Sequence, residues 1–86
     1  MEIEKKAWPD FFQDIVDGKK TFDLRLAEFE CKPGDTLVLK EWNPDTKGYT
    51  GRTIRKEITY VLNTKDLKFW PDEDVKKKGF IVMSFK

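Results

Sequence analysis

Gly18-Lys19-Lys20-Thr21-Phe22-Asp23-Leu24-Arg25 (GKKTFDLR, residues 18–25) holds a helix stop and a strand start within eight residues. Gly18 ends the amphipathic segment before it, because glycine alone enters the left-handed region at a helix C-terminus without steric cost. Residues 21–25 then alternate with the period of a strand. Phe22 and Leu24 fall on one face; Thr21, Asp23 and Arg25 fall on the other. One strand face therefore carries an anion beside a cation, and Lys19 and Lys20 enter from the turn. This predicts a concavity holding Lys20, Thr21, Asp23 and Arg25 next to the preceding helix.

That helix is predicted over 9–17. Pro9 suits the first helical position and Asp10 the positive end of the helix dipole. Phe11, Phe12, Ile15 and Val16 share one side at helical spacing, opposite Asp10, Gln13, Asp14 and Asp17. So short a helix needs tertiary burial to persist. Residues 3–8 read as a strand before it. Downstream, Lys32-Pro33-Gly34-Asp35 has the order of a type II turn. A strand over 36–42 places Leu37, Leu39 and Glu41 on one face. Asn43 to Gly48 is a loop, and a long strand runs over 51–62 with Ile54, Ile58, Tyr60 and Leu62 on one face. Asn63 to Gly79 is long for a connection. It includes Phe69-Trp70-Pro71, expected to plug the core, a possible short helix over 71–77 and the solvated run Lys76-Lys77-Lys78. Residues 80–85 form the closing strand.

The whole is expected to be one domain, residues 1–86. Its class is α+β, a small mixed, mostly antiparallel barrel capped by one short helix, since closure removes exposed edges. Composition limits the chemistry. The 86 residues carry Lys+Arg 17 against Asp+Glu 16, for a net charge of +1, so a polyanionic partner must be met by a local patch. There is no histidine, the commonest general base and zinc ligand. Cys31 stands alone and reads as a small packed side chain. Neither a signal peptide nor a long apolar run is seen, so a cytoplasmic monomer away from membranes is expected, with no metal and no cofactor.

The run 18–25 resembles the ASCH motif, glycine-x-lysine-x-x-glutamate-x-arginine, with Asp23 at the glutamate position. ASCH domains belong to the PUA-like superfamily of small barrels. Trp8-Pro9-Asp10-Phe11-Phe12, Pro33-Gly34-Asp35-Thr36-Leu37, Leu39-Lys40-Glu41-Trp42 and Tyr49-Thr50-Gly51-Arg52 extend the likeness to a small prokaryotic and phage branch of unknown function. The resemblance implies RNA or nucleotide binding. It also raises a second class, a hydrolase acting on RNA or on a modified nucleoside such as acetylcytidine. That hydrolase group uses a motif lysine, a threonine two residues before the arginine and a downstream glutamate. Lys20 matches the lysine, Asp23 replaces the threonine, and Glu41 or Glu57 is the candidate glutamate.

Two expectations follow. As a binding module, the protein would engage RNA or a nucleotide-like small molecule through Lys6, Trp8, Lys20, Thr21, Asp23, Arg25, Trp42, Tyr49 and Arg52. As an enzyme it would use Lys20, Asp23 and Glu41 as acid–base groups. The absence of histidine and the loss of the threonine hydroxyl favour binding. Glu41, on a face of leucines, is expected to need a cation from Lys6, Lys20 or Arg25.

Overall fold

A computed structural model describes residues 1–67 and 79–86. The elements are β1 (Glu2–Ala7), α1 (Pro9–Val16), β2 (Phe22–Leu26), β3 (Thr36–Asn43), β4 (Gly48–Asn63) and β5 (Phe80–Phe85), with one 3-10 turn at Thr64–Asp66. The predicted elements are therefore present where the alternation placed them, with β4 starting earlier, at Gly48. The possible helix over 71–77, the Phe69-Trp70 plug and the Lys76–Lys78 run lie outside the described residues.

The strands make one sheet in the order β1-β3-β4-β5-β2. Only β1 and β3 run parallel; the other pairings are antiparallel. The expected α+β barrel is corrected by this order: the domain is mostly sheet, and the sheet is open, with β1 and β2 as its two edges. The reason lies in α1. It carries the chain from one edge to the other, and its Phe11 and Ile15 line a cleft whose remaining walls are the end of β1 and the inner side of β2. Side chains occupy the interval where barrel closure would need a backbone ladder. A single guanidinium spans it: Arg25 Nη2 donates to the Lys6 carbonyl.

The core is built from Leu37 and Leu39 of β3, Ile58 of β4, Ile81, Met83 and Phe85 of β5, and Ile3 and Ala7 of β1. Phe12 and Ile15 complete it from α1, each 1% exposed. Burial of each contributes roughly 1.5–3 kcal/mol, which holds a helix too short to stand alone. The four-residue apolar stripe expected on α1 is only half used: Phe11 and Val16 are exposed. The helix ends as predicted. Gly18 has φ 77°, its amide bonds the Ile15 carbonyl, and the Lys19 amide bonds the Asp14 carbonyl. This doubly bonded C-terminus aims Lys20 back toward β2.

Two irregularities in β4 decide which side chains face inward. Opposite Glu41 the register jumps from Lys40↔Thr53 to Trp42↔Tyr49, so Thr50-Gly51-Arg52 bulge out against one residue. Gly51 takes φ 96°, which a bulge of this kind requires of a residue without Cβ. A second shift falls between Ile58 and Tyr60. It turns the inward set from even to odd positions: Ile58 is fully buried, Val61 packs on the core, and Tyr60 is 62% exposed. The single face expected for Ile54, Ile58, Tyr60 and Leu62 is thus broken at residue 59. The Lys32–Asp35 turn forms as expected, with Gly34 at φ 99° and the Asp35 amide bonded to the Lys32 carbonyl. Cys31 is half-buried against the core, and burial together with the Asp35 carboxylate raises its thiol pKa.

Candidate functional site

The cleft between the end of β1, α1 and β2 has a volume of about 490 Å3. Its floor comes from Ala7, Ile15 and Asp23, and its rim from Trp8, Phe11, Phe22 and Leu24. These four rim residues are all about half exposed. Trp8 stands at the N-cap of α1 with extended backbone, and its carbonyl takes the first helical hydrogen bond from Phe12. The start of the helix therefore fixes one aromatic wall. Edge strand β2 fixes the opposite wall through Phe22.

The polar centre of the cleft is Asp23, 7% exposed. Its Oδ2 accepts from Arg25 Nε at 2.7 Å, and Lys20 Nζ lies 3.4 Å from its Oδ1. Lys20 also donates to the Phe22 carbonyl at 2.6 Å, and its ammonium sits 4.9 Å from the centre of the Phe22 ring. Two cations around one carboxylate leave a net positive charge. They also leave donors: a guanidinium has five N–H groups, and one at Nε and one at Nη2 are engaged here among the described residues. Asp23 and the Lys6 carbonyl hold the guanidinium plane from two sides, so its orientation is fixed before any ligand arrives.

Lys6 borders the same cleft from β1. Its ammonium lies 3.7 Å from the centre of the Trp42 ring and 5.8 Å from that of Tyr49. Trp42 and Tyr49 meet edge to face at 5.1 Å. Trp42 and Tyr49 are thus joined to the cleft through Lys6 and do not line it.

Other expected site residues fall elsewhere. Thr21 is exposed and absent from the cleft wall; its carbonyl accepts from the Phe85 amide. Glu41 does face the core side, at 5% exposure, but its partners are not those expected. Thr50 Oγ1 donates to Glu41 Oε1 at 2.6 Å, and Arg52 Nε lies 3.8 Å from the same oxygen. The Gly51 bulge brings both to Glu41. None of Lys6, Lys20 or Arg25 is its cation. Arg52 further donates to Gln13 Oε1 at 3.1 Å and covers the Phe12 ring at 4.8 Å, so it ties β4 to α1. Lys20, Asp23 and Glu41 are therefore not one cluster: Glu41 belongs with Thr50 and Arg52.

Phe11, Phe22 and Leu24 belong to the cleft and were missing from the expected ligand-binding set. Their signal was a stripe on α1 wider than a two-residue contact needs, next to apolar positions on an edge strand. Among the described residues no helix is long and apolar enough to cross a membrane.

Residues 4–85 match the family described as a domain of unknown function, DUF3850. The chain is also 33% identical over 63 residues to an uncharacterized 12.9 kDa protein in the GpA 3′ region of Escherichia phage P2. That alignment covers 73% of this chain and 56% of the phage protein, so the chain spans little more than half of that relative's length.

Proposed function

We propose, from the premise that this chain belongs to the DUF3850 family, that it is a binding module for a nucleotide-like or single-stranded RNA ligand. The observation that carries this reading is Arg25. Its fork is held by Asp23 and the Lys6 carbonyl, keeps donors to spare among the described residues, and stands beside Lys20 in a cleft rimmed by Trp8, Phe11 and Phe22. A planar cation meets a phosphate in a bidentate way, and an adjacent lysine adds a point charge. Exposed aromatic faces stack bases without regard to sequence. The likeness of residues 18–25 to the ASCH motif supports the same ligand class, through Lys20 and Arg25 and without the barrel. The reading also places the protein in the cytoplasm, with its ligand.

Hydrolysis is the second class and has weaker support. Both Asp23 oxygens are engaged by cations, and Glu41 stands apart from Lys20 and Asp23, with Thr50 and Arg52 at its Oε1. A general base needs a free oxygen within reach of the proton it takes. Titration of wild type, Arg25→Ala and Lys20→Ala with nucleotides and short single-stranded RNAs tests the binding reading. Wild type is expected to bind and both variants to lose affinity. RNA affinity unchanged in both variants would make the 18–25 motif structural.

A further inference from the structure

The Lys6–Arg25 contact has a groove on each side. On one side is the cleft just described; on the other, Lys6 and Arg25 border a second groove of about 350 Å3 with Glu4, Lys5, Lys40 and Tyr49. Both volumes fall in the range of about 300–1,000 Å3 that small-ligand sites occupy. The first groove is aromatic and apolar at its rim. The second is charged: Lys40 Nζ holds Glu4 Oε1 at 2.9 Å, and Tyr49 stands 57% exposed beside it.

Charge is concentrated along this line. Lys6, Lys20, Arg25 and Lys40 stand against Glu4 and Asp23, a local charge of +2, while the Lys5 ammonium lies over the Phe29 ring at 4.0 Å. The chain as a whole carries only +1, so the rest of the sequence is net acidic. Among the described residues, a near-neutral chain thus presents a basic track with an aromatic platform at either end.

We infer that the ligand is a single-stranded polynucleotide that crosses this saddle, and that a mononucleotide occupies only the first groove. The inference rests on the binding reading above and extends it from one subsite to two. A base stacks among Trp8, Phe11 and Phe22 in the first groove. The phosphodiester that follows it lies over Lys6 and Arg25, the two cations common to both grooves. The next nucleotide enters the second groove, with Tyr49 as its platform and Lys40 near its phosphate. Lys6 is preplaced for this by the Trp42 face, which holds its ammonium without cancelling its charge.

The test compares uridine 5′-monophosphate with oligouridylates of two, four and eight nucleotides and with the matching oligodeoxyuridylates. Wild type, Tyr49→Ala and Lys40→Gln are titrated at several salt concentrations. Affinity is expected to rise from monomer to tetramer, with the salt slope growing by about 0.7 for each phosphate engaged. Tyr49→Ala is expected to weaken tetramer binding roughly 5- to 150-fold, the usual effect of losing one stacking platform. Lys40→Gln should leave monophosphate binding as in wild type, since Lys40 does not line the first groove. Lys40→Gln keeps the Trp42–Tyr49 pair and repeats the test should Tyr49→Ala fail to fold. Equal affinity for monomer and tetramer, or a length gain that survives both substitutions, overturns the two-groove inference and leaves the single-cleft reading standing. No binding of either ligand overturns the single-cleft reading itself, and this inference with it. Equal binding of the deoxy series keeps the track and identifies its ligand as single-stranded nucleic acid of either sugar.

Discussion

Arg25 Nε lies 2.7 Å from Asp23 Oδ2, two residues along one strand, and the same guanidinium reaches the Lys6 carbonyl on the opposite edge of the sheet. A contact that reads in sequence as a local ion pair is thereby a link between the two ends of the strand order. Surface pairs of this kind usually contribute about 0–1 kcal/mol. This one has a buried carboxylate at its centre and should exceed that.

Arg25→Lys keeps the charge and removes the fork. It cannot hold Asp23 and the Lys6 carbonyl in one plane. A loss of about 1–2 kcal/mol in urea unfolding is expected, one unit for each hydrogen bond forfeited. RNA affinity is expected to fall nearly as far as in Arg25→Ala. Full affinity in Arg25→Lys would mean that charge alone matters at this position.

Asp23→Asn leaves Arg25 and Lys20 facing each other without the carboxylate. The neutral amide accepts from one of them at most and turns donors toward the other. We expect destabilisation of about 1–3 kcal/mol. RNA binding should weaken despite the added positive charge, because Arg25 loses its alignment. Tighter binding by this variant would show that net charge outweighs orientation in the cleft.

Strand positions were legible in the alternation at 21–25 and 36–42, and the helix stop was legible in Gly18. The inward face was harder. At Leu37, Leu39 and Glu41 apolar content identified it correctly, since a central strand buries what is greasy. On edge strand β2 the rule reverses: Phe22 and Leu24 are exposed while Asp23 is buried, because the inner side of that edge borders the polar cleft. The partner of Glu41 was out of reach for another reason. In sequence Gly51 reads only as the start of a strand, and it is the register that shows Thr50 and Arg52 both landing opposite residue 41. The shift at residue 59 has no glycine or proline to mark it. The barrel was expected because a small sheet gains by hiding its edges; the helix between the edges removes that gain.

Thr50→Val separates structure from binding. It withdraws the hydroxyl from Glu41 Oε1 and leaves Arg52, at 3.8 Å, as the partner of that oxygen among the described residues. A cost of about 1–3 kcal/mol follows for an under-satisfied buried carboxylate. Monophosphate affinity should be unchanged. A drop in that affinity at unchanged stability would place the Glu41 cluster in the ligand site.

Acid stability should depend on Asp35. Its buried carboxylate accepts from the Lys32 amide at 3.0 Å and from the Met1 amino group at 3.2 Å, and the Lys32 amide first among these causes lowers its pKa. The folded-state value lies below the unfolded one, near 3.9. Asp35 thus contributes stability that is complete above about pH 4 and is lost as pH falls through the lower, folded value. Urea midpoints measured from pH 7 down to pH 2 should fall through that window. In Asp35→Asn the midpoint should be lower at pH 7 and the acid limb shallower. An acid limb of undiminished steepness would assign it to other carboxylates.

The open strand order has a kinetic consequence. Strands β3 and β4 are joined by a short turn and pair almost at once along the chain, whereas β1 and β2 must find partners far away: Ile3 beside Leu37, Leu24 beside Val82. Distant pairings bear the larger loop-closure entropy, so the hairpin forms first and the two edges dock last. The Lys6–Arg25 link can exist only after both have docked. The cleft is therefore expected to be the final piece of the fold to assemble and the first to come apart. Amide protons of β1 and β2 should exchange through openings far cheaper than global unfolding, while those of Leu37 and Leu39 wait for the whole molecule. Any molecule that bridged the seam would raise that local barrier selectively, and so would act as the clasp that the backbone does not supply.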